Sequence, residues 1–328
     1  RPHHSPGATP PAMVNQILQL RLATGWGGRK LHHALLQQGV DGVPSPATIT
    51  AILHRHGAPA GCAVDPTPRW TRFAAAAPND LWQMDFKSPV AVRGGQTLPL
   101  LVLDDYSRFV VGLSLCASPR TEGVRGVLEG LFRRYGLPAR ILADNGPPWG
   151  AATHEATPVP LTRLTVWLLR LGITVSHGRP YHPQTQGKVE RCMRTLGAEV
   201  LQHTARWEAD ELQARFDAWR ERYNIQRPHE ALGHQPPLSR YTVSPRPLPD
   251  QLPPLLYEPH DLSVRVSGQG FIVLERHRYF VSQMIRYEPV AIRPTDTPDI
   301  LAVWYGPQLV KYIDLHAPSN RRPEEDPV

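Results

Sequence analysis

The feature that most constrains this sequence is the run from Tyr181 to Thr195, YHPQTQGKVERCMRT, in which a polar, basic and aromatic stretch leads straight into a helix. Val189, Cys192, Met193, Leu196 and Val200 give that helix an apolar stripe, while Gln186, Glu190 and Arg194 repeat at i, i+4 and i+8 on its flank. Glu190 is thereby expected at the edge of a core. Two upstream aspartates match it: Asp85 ends the alternating segment LWQMDF, and Asp144 ends RILAD, each where a buried strand runs out into a loop. Strand ends are where open α/β sheets place chemistry.

Three carboxylates arriving from two strand ends and a helix flank repel one another, and the physical reason to gather them is a divalent cation with hard oxygen ligands. Magnesium is the natural candidate, with manganese as a substitute. Two such ions about 4 Å apart can activate an attacking oxygen and stabilise a leaving one in phosphoryl displacement. Each residue alone has a plainer reading. An aspartate at a strand end is ordinarily a turn former, and a lone helical glutamate is a solvated side chain. The adjacent Asp104 and Asp105 point to opposite faces of a strand, so at most one can join Asp85, and both read as turn or hydrogen-bonding residues. Tyr181, His182, Lys188 and Arg191 are either surface residues or the basic and aromatic surround that a DNA phosphate requires.

The chain has 36 Lys and Arg against 29 Asp and Glu, a net charge of +7, which favours a polyanionic partner. Cys62, Cys116 and Cys192 are an odd number without metal-ligand spacing, so a reducing cytoplasm is expected rather than a disulfide framework. The apolar runs are too short to span a bilayer. Because the first residue is Arg, a fragment or processed product is expected.

In chain order, Arg1 to Pro11 reads as a disordered lead-in, followed by helical spacing over Ala12 to Ala23 and Gly28 to Gln38. Ser45 is a candidate N-cap with Pro46 at the first helical position of PATITAILHRHG. Three short helices in a basic segment suggest a helix-turn-helix, with Thr48 and Thr50 near base edges and Arg55 on phosphate; the alternative is a helical packing unit. Ala58 to Asn79 reads as a linker. The central region then gives the order β-β-β-α-β-α-β-α. Past it, Leu212, Phe216, Trp219 and Tyr223 form a helix stripe, Pro236 to Pro259 reads as a second linker, and Asp261 to Leu315 reads as short strands of a small five-stranded SH3-like barrel. Arg265, Arg276, Arg278, Arg286 and Arg293 would either contact DNA or protein or form a solvated face of a stabilising β domain.

WQMDF, LDDYSRFVVG, LADNG and RPYHPQTQGKVER, with the downstream YNIQRPHEALGHQPPLSRY, resemble bacterial insertion-sequence DDE transposases with a retroviral-integrase-type catalytic core. The resemblance is dense from Leu81 to about Ser244. It implies that Asp85, Asp144 and Glu190 are the catalytic, metal-binding DDE triad on an RNase H-like fold. The implied reaction is metal-dependent cleavage at transposon ends, then transfer of the 3′ hydroxyl ends into target DNA. Terminal inverted repeats and target duplex would be the DNA partners of a homo-multimer assembled on paired ends, cytoplasmic and associated with the nucleoid, with no membrane involvement. Two departures stand out. Forty-five residues separate Asp144 from Glu190, more than is commonest in the family, with the surplus expected in Trp149 to Pro160. The zinc-binding unit of retroviral integrases is missing, since His32, His33 and Cys62 supply no second cysteine.

The reading is thus a multidomain α+β chain: a helix-turn-helix over 1–57, a linker over 58–79, an RNase H-like α/β core with a mixed sheet over 80–206, a post-core helical and Pro-rich segment over 207–254, an SH3-like β-barrel over 255–317 and a tail over 318–328. A catalytically silent DNA-binding regulator and an RNase H-like nuclease are the alternatives.

Overall fold

The computed structural model describes residues 8–58, 74–144, 146–150, 160–177, 187–202, 204 and 207–316. Three helices come first: α1 (Pro11–Thr24), α2 (Gly28–Gln37) and α3 (Pro46–Arg55). Pro11 opens α1 and Gly25, at φ 70, closes it in the left-handed conformation that glycine adopts without strain. Ser45 caps α3, its hydroxyl accepting from the Thr48 amide at 3.2 Å. Ile17, Trp26, Leu31, Leu35, Ile49, Ile52 and Leu53 bury one shared core. The connection from α2 to α3 takes residues 38–45. At Gly28 the two helices come so close that a Cβ would lie 2.3 Å from Thr50 Oγ1 and 2.7 Å from the Pro46 carbonyl oxygen.

The central sheet contains β1 (Leu81–Phe86), β2 (Val90–Val92), β3 (Gly95–Asp104), β4 (Val110–Cys116), β5 (Arg140–Ala143) and β6 (Thr174–His177). Its order is β4-β3-β1-β5-β6, with β2 folded back on the first residues of β3. The β1–β3 and β3–β4 pairs are antiparallel, whereas β1–β5 and β5–β6 are parallel. Alternation sorts the two faces. Trp82, Met84, Val102 and Val111 turn toward α4 (Thr121–Tyr135) and α5 (Arg163–Arg170); Leu101, Leu103 and Val110 turn toward α6 (Gly187–Glu199) and α7 (Ala209–Ile225). A mixed sheet with helices on both faces fits the RNase H-like core expected from the sequence. The stripe of α7, including Phe216 and Trp219, is part of that second face rather than a separate layer.

Residues 236–246, read from the sequence as linker, are laced to the core. Tyr241 stacks on Phe109 with ring centres 4.0 Å apart, the Ser244 amide donates to Tyr135 O, and Arg246 donates to the carbonyls of Pro138, Leu171 and Gly172. Gly136 permits this approach, because a Cβ there would meet Ser244 O at 2.6 Å. The C-terminal part departs from the expected five-stranded barrel. It contains a four-stranded antiparallel sheet of β7 (Leu262–Arg265), β10 (Pro289–Pro294), β11 (Ile300–Tyr305) and β12 (Gln308–Asp314), and a hairpin of β8 (Phe271–Leu274) and β9 (His277–Phe280). No strand pairing closes these into a barrel among the described residues. Among the described residues β8 and β9 pair only with each other, joined by the two-residue turn Glu275–Arg276 at φ 47 and 70. Both parts share one core, which Leu169 of α5 enters from the central domain. No helix among the described residues is long and apolar enough to cross a membrane.

Gly28→Ala should destabilise the N-terminal helices by about 1–3 kcal/mol, since a backbone carbonyl cannot swing away as a side chain can. The measurement is the urea unfolding midpoint of the full chain followed by the circular dichroism of its helices; an unshifted midpoint would show that the α2–α3 seam tolerates the methyl.

Candidate active site

Asp85 sits near the end of β1, Asp144 one residue past β5 and Glu190 in the first turn of α6. Parallel pairing aligns Gln83 with Leu142, so that Asp85 and Asp144, each two residues further on, arrive side by side. Burial pushes the Asp85 carboxyl up to about 6, and the charges of Asp144 and then Glu190 act in the same direction, while the Phe86 amide and Lys87 oppose it. Both other carboxylates therefore act on Asp85, although among the described residues no group of three His, Cys, Asp or Glu stands close enough to share a metal ion. Asp144 accepts from the Gly146 amide at 3.1 Å and from the Trp149 indole N–H.

Two residues that the sequence reading did not single out shape this site. Trp149 is buried, holds Asp144 through its indole nitrogen and stacks on Phe86, the neighbour of Asp85, at 5.2 Å. It had been assigned to the surplus loop, of which residues 151–159 lie outside the described residues. His177, the last residue of β6, places Nδ1 2.7 Å from the Asp144 carbonyl oxygen, so that nitrogen carries the proton; burial lowers the imidazole pKa. A histidine ending the segment ITVSH beside LADNG was the available signal.

Glu190 is set by a buried polar network. Gln83 Nε2 donates to Asp105 Oδ1 at 2.7 Å, and Gln83 Oε1 accepts from the Val189 amide at 3.3 Å. Asp105 Oδ2 accepts from Lys188 Nζ at 2.5 Å and from the Ala75 amide at 2.7 Å. The first turn of α6 is thus tied to β1, which carries Asp85. Desolvation lowers the Lys188 pKa while Asp105 opposes that shift. Asp104, on the opposite face, accepts from Asn79 N and from both Ser107 N and Oγ. Both aspartates are hydrogen-bonding residues, and neither joins Asp85.

The remaining expected contact residues are placed unevenly. Lys188 is committed to Asp105, while Arg191 is exposed. Tyr181 and His182 lie outside the described residues. Thr48 Oγ1 sits 2.9 Å from the capping Ser45 hydroxyl and Thr50 Oγ1 donates to Pro46 O, which leaves Ala47, Ala51, His54 and Arg55 as the exposed face of α3. In the C-terminal part Arg265, Arg276, Arg278 and Arg286 are exposed, whereas Arg293 is held by Asp261 in a two-bond pair of 2.7 Å each.

Models of the integrase core domain match residues 75–183 and residues 171–237, a span that includes all three carboxylates. The chain carries an integrase core. Among curated relatives, the insertion element IS407 uncharacterized 31.7 kDa protein of Burkholderia multivorans is 28% identical over 169 residues, 49% of this chain and 54% of that protein. The insertion element IS476 uncharacterized 39.2 kDa protein of Xanthomonas euvesicatoria is 27% identical over 167 residues, 50% of this chain and 45% of that protein. The chain thus spans about half the length of these two relatives. It spans 10% of the Gag-Pol polyprotein of avian reticuloendotheliosis virus, with 29% identity over 126 residues, 38% of this chain. The crystal structure of the BIV integrase catalytic core domain covers 50% of this chain and 93% of its own at 25% identity and a TM-score of 0.38. The resemblance of this integrase core to those of insertion-sequence DDE transposases, read from the sequence, holds at the level of the family models and the two insertion-element relatives.

Two outcomes follow. Because the folded-state pKa of Asp85 lies above its ordinary 3.8, ionising it costs the fold stability as pH rises from 3.8 through about 6. Asp85→Asn should therefore melt a few degrees above the parent chain at pH 8, and the gap should fade toward pH 4. Asp105→Ala leaves Lys188 Nζ, Gln83 Nε2 and the Ala75 amide without their carboxylate and should cost about 3–5 kcal/mol in urea unfolding.

Proposed function

We propose that this integrase-core protein is a DDE transposase that cleaves DNA at transposon ends and transfers the 3′ hydroxyl ends into target DNA. The observation that carries the reading is the action of the Asp144 and Glu190 charges on Asp85, three hard-oxygen donors delivered by β1, the end of β5 and α6. Neighbouring acids that raise the proton affinity of Asp85 fit a divalent cation, which removes the repulsion. These three residues would hold magnesium, two ions in the working site, with manganese able to replace it. Bound metal supplies charge neutralisation and an acidified water or 3′ hydroxyl for in-line displacement at phosphorus.

The chain's own groups do the positioning. Trp149 fixes the Asp144 carboxylate, His177 fixes the backbone at Asp144, and the Gln83–Asp105–Lys188 network fixes the start of α6. Lys188 acts through that network, and Arg191 is the exposed cation next to Glu190 that steadies phosphate. The N-terminal helices serve as the helix-turn-helix module, reading duplex DNA with the α3 face that bears His54 and Arg55. The C-terminal sheet and hairpin stand in the place of an SH3-like module, offering Arg265, Arg276, Arg278 and Arg286 to DNA or to a second subunit. The working state is a multimer on paired ends in the bacterial cytoplasm.

Asp85→Asn, Asp144→Asn and Glu190→Gln should each lower cleavage and joining of terminal DNA in magnesium by about a thousandfold or more while leaving duplex affinity intact. Magnesium should also raise the melting temperature of the parent chain more than that of any of the three variants. Near-normal joining of pre-cleaved ends by any one of them would sink the assignment. A nuclease on the same core would cut and never join, and a silent regulator would do neither.

A further inference from the structure

The carboxylate of Asp144 is held asymmetrically. Both hydrogen bonds that its side chain accepts fall on one oxygen: the Gly146 amide donates to Oδ1 at 3.1 Å, and the Trp149 indole N–H donates to the same atom. Among the described residues no donor reaches Oδ2. Gly146 also keeps that second oxygen open, since a Cβ there would stand 3.1 Å from it. An ionised carboxylate offers about two lone pairs on each oxygen, so two donors fill Oδ1 while those of Oδ2 stay available.

Trp149 is not free to leave that position. It is 1% exposed and belongs to the core between the sheet, α4 and α5. Its ring stacks on Phe86 with centres 5.2 Å and planes 17° apart, its carbonyl oxygen accepts from Thr165 Oγ1 of α5 at 3.1 Å, and the Gly150 amide closes back on the Gly146 carbonyl at 2.8 Å. Strand β1, helix α5 and the loop itself thus fix where the indole nitrogen points. A buried indole N–H needs an acceptor, and Asp144 Oδ1 is the one it has. The donor is held by packing that Asp144 takes no part in, so the donor sets the carboxylate and not the reverse.

We propose that Trp149 is a positioning residue that sets which cation the site prefers: by keeping Oδ1 occupied it makes Asp144 a ligand through Oδ2 alone, which favours magnesium over calcium. This rests on the reading of Asp85, Asp144 and Glu190 as metal ligands. Magnesium is small, demands near-octahedral coordination and keeps several waters, so one oxygen from a carboxylate suffices. Calcium is larger, takes about six to eight oxygens and readily accepts both from one carboxylate. An aspartate with one oxygen already filled meets the need of the first ion and falls short for the second. Trp149 touches neither substrate nor cation in this role and acts only through Asp144.

The test uses the full chain without DNA, titrated separately with magnesium chloride and calcium chloride, and reads the concentration of each ion that gives half of its melting-temperature rise. Trp149→Phe keeps a ring on Phe86 and removes the donor. It should weaken magnesium binding about tenfold or more and calcium binding by less, so that the ratio of the two midpoints moves toward calcium. A substitution that merely loosened the loop would weaken both ions alike. Equal loss for the two ions, or no loss for magnesium, would overturn the role of Trp149 while leaving the metal-site reading standing. A second readout is independent of how well that variant folds. With isotopically labelled tryptophan, the eight tryptophans of the chain each give an indole N–H signal in NMR. Asp144→Ala without metal should move the Trp149 signal upfield, and saturating magnesium should leave it at its downfield place in the parent chain. An indole that magnesium releases to the position seen in Asp144→Ala would overturn the proposal. A melting temperature that neither ion raises in the parent chain, or that magnesium raises equally in Asp144→Ala, would overturn the metal-site reading with it.

Discussion

The structure depends on a pair of adjacent buried aspartates. Asp104 and Asp105 are fully buried at the end of β3, and because neighbouring strand residues face opposite ways they anchor both sides of the sheet at one corner. Asp104 gathers Asn79 and Ser107, and Asn79 in turn accepts from Trp82 Nε1 and the Tyr241 hydroxyl, which reaches the strap over the α4–β5 turn. Asp105 gathers Ala75, Gln83 and Lys188, which reaches α6. Burial raises the Asp104 carboxyl, and the Ser107 and Asn79 donors hold against that shift. A buried carboxylate is tolerated when its lone pairs are met by donors, and these donors come from chain segments far apart in sequence. The corner therefore converts the cost of buried charge into a fixed relation between β1 and α6, on which the geometry of Asp85 and Glu190 rests.

Much of the core could be read from the residues. The alternation of LWQMDF put Trp82 and Met84 on one face and Gln83 on the other, and the structure keeps that division. The apolar stripe of α6 and the stripe of α7 lie against the sheet as their spacing requires. What escaped was carried by contacts rather than by period. The strand β2 escaped although the Arg93–Gly94 turn signalled a hairpin, because three residues give too little alternation to register. The turn at Glu275–Arg276 lacks the Asn-Gly or Asp-Gly signature of its conformation, so β8 and β9 merged into one expected barrel. The Pro-rich stretch after Pro236 looked like a tether because its ties to the core run through carbonyl oxygens, which every residue has.

The candidate site shows the same division. Strand ends and a helix flank pointed to Asp85, Asp144 and Glu190, since position on an element can be inferred from pattern. Trp149 and His177 could not be ranked from pattern, because their part is set by a loop folding back and by the register of β5 against β6, which pairs Ala143 with His177. The hydroxyls of Thr48 and Thr50 show what pattern leaves out. Their spacing on α3 says nothing of the hydrogen bonds by which both satisfy groups within α3 and its cap.

The strap formed by residues 236–246 has a mechanical meaning. Arg246 grips the carbonyls at the ends of α5 and of the α4–β5 turn, while a few residues on, Arg170 of α5 holds both Glu288 and the Pro253 carbonyl. With Leu169 inserted in the C-terminal core, α5 acts as an axle shared by two bodies. The C-terminal module is thereby held by the same helix that packs on the central sheet, which sets the position of its exposed arginines relative to that sheet. Substitutions in α5, far from any carboxylate, would be felt as a change of aim.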